Sequence, residues 1–577
     1  MKFNNTVLPE RAAFALRLGV GILFGLAMAI LGHVGIAVSV PVNGVPAAPP
    51  PPALWKIVVY STLALTAFVW WACSGTMRRW SLVIWGLAAT AVIAFLAWHQ
   101  TQATAPNDAY VFFTSAGWLV LPLLFIANEL ASSGDQVGRP IAPYPTYFDQ
   151  AWKHGVQLVL SLLFTGLFWA ILWLGAVLLG FIGFHWLRDL LVKDWFALPA
   201  SGAAMACAVQ LGDVQDKLLT NVRALVLSVL SWLLPVIAAI GLLFLGSLCI
   251  SGLEPLWKTK AATTTLLSAS IAFVLLINAA YQQGDEERRV NIVMKWATRL
   301  ACVLLLAFAT LAAYSLWLRV NPYGLTPERV LAAAGVTIAL LFGLGYAAAA
   351  VWPGRWLARV EGVNIAMAFV KGLIFVGLLT PVGDPARLSS DDQVARLQSG
   401  RISNDLFDWD QLRFRTGQYG REALKALAKS SPDAKIRAKA SEALAADVAS
   451  SPKAVQSDDM SRLKVVSPAG ARLPATFNGP SLETGGLRTC VSDPSARCTA
   501  AMIDLNADGV PEVVVLNGSE ITVFRHLTNG WQIVPMSGQY LDGDGVKAFN
   551  AGQVMTKPHA WSDLEVGGTR LIINGDK

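Results

Sequence analysis

Long apolar runs interrupted by short polar stretches dominate the first 380 residues. The clearest pair runs from Arg223 to Ser251 and from Ala261 to Tyr281, and the loop between them carries Glu254, Lys258 and Lys260. Each run reaches the roughly 20 residues that an α-helix needs to cross a bilayer, where only internal hydrogen bonds satisfy the backbone. The pattern therefore predicts a polytopic membrane protein.

The same criterion predicts membrane helices on both sides of this pair. The first apolar run follows Arg17 and reaches Val40, and we interpret it as an uncleaved helix because it lacks a convincing cleavage site. The proline-rich stretch 41–52 predicts an exposed connector, since proline cannot continue a helix. The other clear spans are Leu54 to Cys73, Ser81 to Trp98, Tyr110 to Glu129, Gly155 to Gly183, Met294 to Trp317, Glu328 to Trp352 and Glu361 to Thr380.

One further segment, Ala197 to Leu211, is short and rich in small residues, and the loop charges decide whether it crosses. If it crosses, fifteen Lys and Arg lie on the side of the amino terminus and seven on the other side; if it does not, the split becomes 11 against 11. Positive charge normally collects in cytoplasmic loops. We therefore predict eleven spans, with the amino terminus on the cytoplasmic side and the carboxy terminus outside.

Composition supports the bilayer as the main partner of this chain. Of 577 residues, 54% are hydrophobic and only 14% are charged, which is unusual for a soluble enzyme. The net charge of +7 comes from residues 1–380, where 23 basic residues face 15 acids, whereas residues 381–577 hold 22 and 23. The excess therefore lies in the loops between spans and indicates topology rather than a nucleic-acid partner.

The carboxy-terminal part has the composition of a soluble domain. Apolar residues at helical spacing on both sides of Pro432 predict a helical hairpin. Val513 to Leu516, Ile521 to Phe524 and Trp531 to Val534 predict strands separated by Asn-Gly turns. The predicted fold is an all-α polytopic transmembrane helix bundle of about 11 helices followed by a small extracytoplasmic α+β tail. Its predicted parts are a bundle at 1–380, a helical segment at 381–450, a linker at 451–475 and a β-rich domain at 476–577.

Several strings in this sequence are similar to one bacterial family. They are NAAYQQG at Asn278 to Gly284, LWLRVNPYGLTPERV at Leu316 to Val330, DPARLS at Asp384 to Ser389 and FDWDQLRFRTGQYG at Phe407 to Gly420. Together they resemble the domain of unknown function 4153, and the resemblance covers most of the chain. It implies a polytopic protein of the bacterial envelope and supplies no established activity.

Two residues inside predicted spans are candidates for an intramembrane site. Lys371 lies near the centre of its span, where a charge costs at least ~2.5 kcal/mol on insertion scales and usually faces a partner or water. Its alternatives are snorkelling or pairing with an acid such as Glu129 or Asp213. Pro235 lies in the middle of a long run, where it removes a backbone hydrogen bond, and kinked helices line many transporter sites.

The segment DLNADGVPE, just before the first predicted strand, has the spacing of a calcium loop. Its candidate ligands are Asp504, Asn506, Asp508, the carbonyl of Val510, and Glu512. An EF-hand would need an acid at 515, where Val515 stands, and the following strand makes the segment resemble a single calcium-binding FG-GAP blade. The alternative is a metal-free hairpin turn.

Cys490 and Cys498 are the two cysteines of the polar tail. A disulfide between them fits an oxidising compartment, and weak Ca²⁺ binding is also typical outside a cytosol. Both features agree with a periplasmic tail.

The sequence shows no familiar catalytic site. Its six histidines are scattered, and it contains no HExxH, nucleophile elbow or P-loop. We therefore expect an integral membrane protein of unknown activity whose tail has a calcium-dependent binding or interaction role toward an envelope protein or polymer. The alternative is a transporter or channel with a midplane site near Lys371 and Pro235.

Overall fold

The structure is a computed structural model. It describes residues 6–33, 54–103, 116–214, 216–254, 256, 261–284, 291–352, 357–404, 407–445, 463–468, 470–474, 476–477, 490, 498–506, 508–527, 530–534, 541, 543–554, 564–566 and 569–571. The predicted proline-rich connector 41–52 lies outside these residues. The chain divides into two compact units, residues 1–445 and 446–577.

Among the described residues of the first unit, eleven helices are long and apolar enough to cross a membrane, which confirms the predicted number. Most begin and end within a few residues of the predicted bounds. They are α1 (Glu10–His33), α2 (Leu54–Cys73), α3 (Arg79–Ala103), α4 (Val120–Val137, after a 3₁₀ turn at Ala116–Leu119), α5 (Tyr144–Phe181), α7 (Asp194–Val214), α8 (Asp216–Ser251), α9 (Ala262–Tyr281), α10 (Ile292–Tyr323), α11 (Pro327–Val351) and α12 (Arg359–Leu379); the short α6 (Trp186–Leu191) lies between α5 and α7.

The uncertain segment of the sequence is α7, and its small residues pack directly against α1. A Cβ atom added at Gly202 would lie 2.3 Å from the carbonyl oxygen of Gly21, and one added at Gly25 would lie 2.6 Å from the backbone nitrogen of Pro199. Small residues let membrane helices approach this closely and gain van der Waals contact. The helix reaches 21 residues, and its low mean hydropathy of 1.2 reflects the small residues with which it packs against α1.

The core of the bundle lies among helices α8 to α12, with contributions from the start of α5. Its largest buried side chains include Phe273, Tyr281, Leu305 and Tyr346. By contrast, the second half of α5 and much of α8 expose leucine, isoleucine, valine and tryptophan side chains. This apolar outer surface suits contact with lipid.

Helix α11 begins as its sequence predicts. The Thr326 side chain accepts a hydrogen bond from the Arg329 N–H at 3.3 Å, Pro327 occupies the first turn, and Glu328 lies near the positive end of the helix dipole. The family-like string at 316–330 therefore contains the capped helix start at which the chain turns back into the bundle.

Three further helices complete the first unit: α13 (Pro385–Gln398), α14 (Gly417–Ser430) and α15 (Ala434–Ala445), with a π-helical turn at Gln411–Arg415. Helices α14 and α15 form the predicted hairpin, and their apolar faces enclose Leu412, Leu424 and Ala440. Gly420 is required here because a Cβ atom at this position would lie 1.8 Å from the Leu412 carbonyl oxygen.

Helix α13 holds the loop between α10 and α11. Asp392 accepts a hydrogen bond from the Leu325 N–H at 2.7 Å, and Gln393 donates to the Leu325 carbonyl oxygen at 2.9 Å. Arg396 donates to the carbonyl oxygens of Asn321 and Val320 at 3.1 and 3.0 Å. The family-like strings at 316–330 and 384–389 therefore belong to one structural junction.

The second unit contains a five-stranded mixed sheet in the order β1-β2-β3-β4-β5. Its strands are β1 (Lys464–Ser467), β2 (Cys498–Ile503), β3 (Glu512–Asn517), β4 (Glu520–Leu527) and β5 (Gly530–Val534), followed by α16 (Gly543–Asn550) and a separate hairpin, β6 (Leu564–Val566) and β7 (Thr569–Leu571). Strand β1 pairs with β2 in parallel, and the other neighbours are antiparallel. Strand β1 lies within the predicted 451–475 linker.

Apolar side chains cover both faces of this sheet. Phe477, Phe524 and Trp531 pack on one face, whereas Phe549 of α16 packs with Val514 on the other. Strand β3 is therefore buried on both sides, which explains the continuous VVVL run. Cys490 and Cys498 form the predicted disulfide, with Cα atoms 5.6 Å apart.

A candidate intramembrane site

A cavity of about 310 Å³ opens between α2, α4, α5 and α7. We call it the cleft. Its walls are largely apolar, and Phe68, Leu121 and Leu162 at its rim are each at least 40% exposed on the lipid-facing surface. Asn128, Glu129, His154 and Gln157 line it as buried polar residues. The cleft is thus accessible from the bilayer and has a polar end, which we call the floor.

Glu129 and His154 form the centre of the floor. His154 Nδ1 lies 2.7 Å from Glu129 Oε1, and both residues are at most 6% exposed. The Asn128 amide donates a longer hydrogen bond of 3.4 Å to the same oxygen. The second oxygen of the carboxyl group, Oε2, has no hydrogen-bond partner among the described residues.

Asn128 is held in place by two donors behind the floor. Its side-chain oxygen accepts from the Cys73 thiol at 2.8 Å and from Trp85 Nε1 at 3.2 Å. Since the oxygen is used in this way, the amide group of Asn128 faces Glu129. The orientation of the floor therefore depends on side chains of α2, α3 and α4 together.

A second polar cluster adjoins the floor. Gln157 donates to the Val209 carbonyl oxygen at 2.7 Å and to Asp213 Oδ1 at 3.1 Å. Asp213 is also paired with the almost fully buried Arg17, and Lys153 Nζ lies 3.9 Å from its Oδ1. Arg17 and Lys153 therefore share a single carboxylate, that of Asp213.

A separate buried network joins Tyr144, Asn278, Tyr346 and Asn364 across α5, α9, α11 and α12. Asn278 donates to Tyr346 at 2.8 Å, Tyr346 donates to Asn364 at 2.6 Å, and Asn364 donates back to Asn278 at 2.6 Å. Because the donors are matched to acceptors in a ring, this network serves to fix the packing of the four helices.

The two intramembrane candidates of the sequence lie away from the cleft. Lys371 Nζ lies 5.4 Å from the centre of the Phe342 ring, whereas Glu129 and Asp213 pair with His154 and Arg17. Pro235 lies within α8, which continues through it, and its neighbour Leu234 is buried in the main core. Neither Lys371 nor Pro235 lines the cleft.

In the sequence, Glu129 stands out only as a possible partner for Lys371, and His154 only as one of six scattered histidines. An adjoining Asn-Glu pair at the end of an apolar run is a signal that points to Glu129, since an acid in a span is a functional candidate by default. The link to His154, 25 positions away on another helix, depends on packing. It therefore becomes visible only in the fold.

The predicted calcium ligands share one loop of the second unit, but their oxygens accept hydrogen bonds from the loop itself. Asp504 accepts from the N–H groups of Asp508 and Gly509 at 3.2 and 2.9 Å, and Asp508 accepts from the Val510 N–H at 2.7 Å. Glu512 is buried and accepts from the Leu505 N–H at 2.7 Å. Among the described residues, no three Asp, Glu, His or Cys side chains are grouped to hold a metal.

Comparison with protein families agrees with the architecture. A sequence profile described as a domain of unknown function (DUF4153) matches residues 57–429, which is well over half of the chain. The match begins within α2, includes every cleft-lining residue and ends in α14. No curated protein and no solved structure matches the chain. The extent of the profile match, together with the bundle and its junction with α13, shows that this multi-pass membrane protein belongs to the DUF4153 family.

Proposed function

We propose that this protein binds an amphipathic, membrane-dissolved molecule in the cleft. The observation that carries the proposal is the combination of apolar walls open to the lipid-facing surface with a buried floor of Asn128, Glu129 and His154. Ligand sites are typically apolar cavities with a few placed polar groups that fix orientation. An alkyl chain would fill the walls, and a polar head would meet the floor.

Binding can be tested with a diazirine-bearing alkyl probe and the full-length protein in nanodiscs. We expect saturable labelling of peptides from α2, α4 and α5 that an unlabelled amphiphile of equal chain length suppresses. The variant Ala72→Trp places a large ring in the cleft and should reduce this labelling at least about tenfold, since overpacking leaves no room for the chain.

Ala170→Trp is the matched control, because Ala170 is exposed on α5 and does not line the cleft. It should leave labelling unchanged. Labelling that never saturates, spreads evenly over the lipid-facing surface and ignores Ala72→Trp would show that the cleft is ordinary lipid-facing surface.

A second proposal concerns the tail, which we place in the periplasm with a calcium-dependent role in binding an envelope protein or polymer. The oxygens of Asp504 and Asp508 already lie within one compact turn, since Asn506 donates to Asp508 at 2.8 Å. The carboxylate oxygens keep further lone pairs for Ca²⁺ beside these backbone N–H groups, and we expect the weak, millimolar affinity that is typical of extracellular sites.

Calorimetry of the full-length protein in detergent tests this second proposal. Ca²⁺ should give a saturable heat that Asp508→Asn reduces and that Asp544→Asn, a change at a 91% exposed side chain, leaves intact. Absence of heat up to several millimolar Ca²⁺ would reject it.

Transport of the cleft ligand is the alternative function. The observation in its favour is the polar connection from Gln157 in the floor through Asp213 to Lys153, which is 28% exposed at the side chain. Uptake of the same alkyl probe into proteoliposomes, compared with its binding, separates a carrier from a receptor.

A further inference from the structure

The floor has one more hydrogen-bond acceptor than it has available donors. The amide donors already have partners, whereas one oxygen of Glu129 has none among the described residues. The Asn128 amide is engaged with Glu129, and the Gln157 amide with Val209 and Asp213. His154 Nδ1 faces Glu129 Oε1, so the proton on that nitrogen serves this oxygen and not Oε2. Glu129 Oε2 is buried and has no partner among the described residues.

A buried acceptor without a donor costs roughly as much as a lost hydrogen bond, and more if it is charged. The nearby cations do not relieve Glu129, since Arg17 and Lys153 both face Asp213. A cation that carries N–H groups supplies both the donor that Oε2 lacks and a charge opposite to that of the carboxylate.

We propose that the cleft selects amphiphiles with a primary or secondary ammonium head, whose N–H donates to Glu129 Oε2. This inference rests on the proposed function, because it names the head of the molecule that the cleft binds. A hydroxyl head supplies a donor without charge, and a trimethylammonium head supplies charge without a donor. A carboxylate or phosphate head meets the Glu129 carboxyl group with like charge.

The selection is tested by competition against the diazirine probe with four ligands of one chain length: dodecylamine, dodecanol, dodecyltrimethylammonium and laurate. The full-length protein is used in nanodiscs of zwitterionic lipid near pH 7. Dodecylamine should compete at a concentration at least about tenfold lower than dodecanol or the trimethyl compound, because only the ammonium head brings both a positive charge and an N–H donor to the Glu129 carboxylate. Laurate should compete least.

Glu129→Gln should bring dodecylamine to within about threefold of dodecanol, since the variant keeps an acceptor and removes the charge. The control is Glu361→Gln, because Glu361 accepts a 2.7 Å hydrogen bond from Tyr281 and lies outside the cleft lining; it should preserve the preference. If Glu129→Gln fails to fold, the comparison of the four ligands on the wild-type protein still tests the ammonium selection.

The outcomes distinguish the two proposals. Equal competition by all four ligands, with Ala72→Trp still blocking the probe, overturns the ammonium selection and leaves the cleft as a binding site. Labelling that Ala72→Trp does not affect overturns the proposed function itself. A preference for dodecylamine that survives Glu129→Gln also overturns the assignment, because the charge would then lie elsewhere.

Discussion

Asp384 combines a helix cap with deep burial just beyond the last membrane helix. It is 3% exposed, accepts hydrogen bonds from the Ala386 and Arg387 N–H groups at 2.8 and 3.4 Å, and lies 3.7 Å from His99 Nε2. Burial raises the pKa of Asp384 above its ordinary value, although the Ala386 N–H and His99 act in the opposite direction. The folded protein therefore holds this proton to higher pH than the unfolded chain does.

The sign of this pKa shift gives a stability prediction. An unfolded aspartate titrates near ~3.9, so the contribution of Asp384 is greatest below that pH and is lost as the pH rises through the higher folded value. Asp384→Asn keeps a good N-cap and removes the ionisation. Thermal unfolding in detergent should then show a shallower decline above pH 4, by at most about 1.4 kcal/mol per pH unit in the titration window.

Asp391→Asn serves as the control, because the Asp391 side chain is 68% exposed and should leave the pH profile almost unchanged. A uniform destabilisation by Asp384→Asn at every pH would mean that the carboxylate acts only as a cap.

At the scale of elements, the contact between α1 and α7 ties the amino-terminal helix to the middle of the bundle. The backbones meet at Gly21 and Gly202, and Arg17 of α1 donates to Gln210 of α7 at 2.7 Å. Since α7 also lines the cleft through Met205 and Val209, this contact supports one of the cleft walls. Displacing α7 should therefore affect both stability and ligand binding.

Gly202→Leu tests this contact, because its side chain would collide with the Gly21 carbonyl group. We expect a loss of roughly 1–3 kcal/mol, measured as a lower Tm in detergent, together with weaker labelling by the alkyl probe. Gly19→Leu is the comparison, because Gly19 lies on α1 two residues before Gly21 and a Cβ atom there meets nothing within 4 Å. Equal effects of the two substitutions would refute a close helix contact at Gly202.

An element can be predicted from the sequence when the residues that determine it lie within the element itself. The bounds of α9 and α11 could be predicted because hydrophobic length and a capping sequence lie within the segment itself. The partner of α7 could not be predicted. Its small residues indicate close packing against another helix but do not identify that helix. The pairing of Glu129 with His154 depends likewise on the arrangement of separate helices, and the calcium loop shows that ligand spacing does not determine where the oxygens point.

At the scale of the whole molecule, the number of spans in the bundle determines the predicted side of the membrane for the tail. Cys73 and Cys302 are buried, Cys207 and Cys249 are exposed on membrane helices, and the tail cysteines form a disulfide. An odd number of crossings, as predicted, would place the two ends of the chain on opposite sides of the membrane. The charge distribution predicts a cytoplasmic amino terminus, and hence a periplasmic tail.

Thiol labelling of intact cells tests this topology. A membrane-impermeant maleimide should label the protein strongly only after reduction, because Cys490 and Cys498 form a disulfide and the predicted topology places it in the periplasm. The double variant Cys490→Ser and Cys498→Ser should lose that signal and provides the background from Cys207 and Cys249. A signal that requires opening of the inner membrane would place the tail in the cytoplasm.

The burial of Arg17 also has a consequence for biosynthesis. Arg17 Nε bonds the Trp71 carbonyl oxygen and the Ser74 hydroxyl, 54 and 57 positions away, whereas its acid partner Asp213 follows 196 positions later. At about 5–20 residues per second of translation, roughly 10–40 s pass between the synthesis of Arg17 and that of Asp213. The nascent α1–α2 hairpin must therefore solvate an arginine by itself during insertion, and ribosome-stalled chains ending before residue 210 are the species in which that intermediate can be trapped by crosslinking.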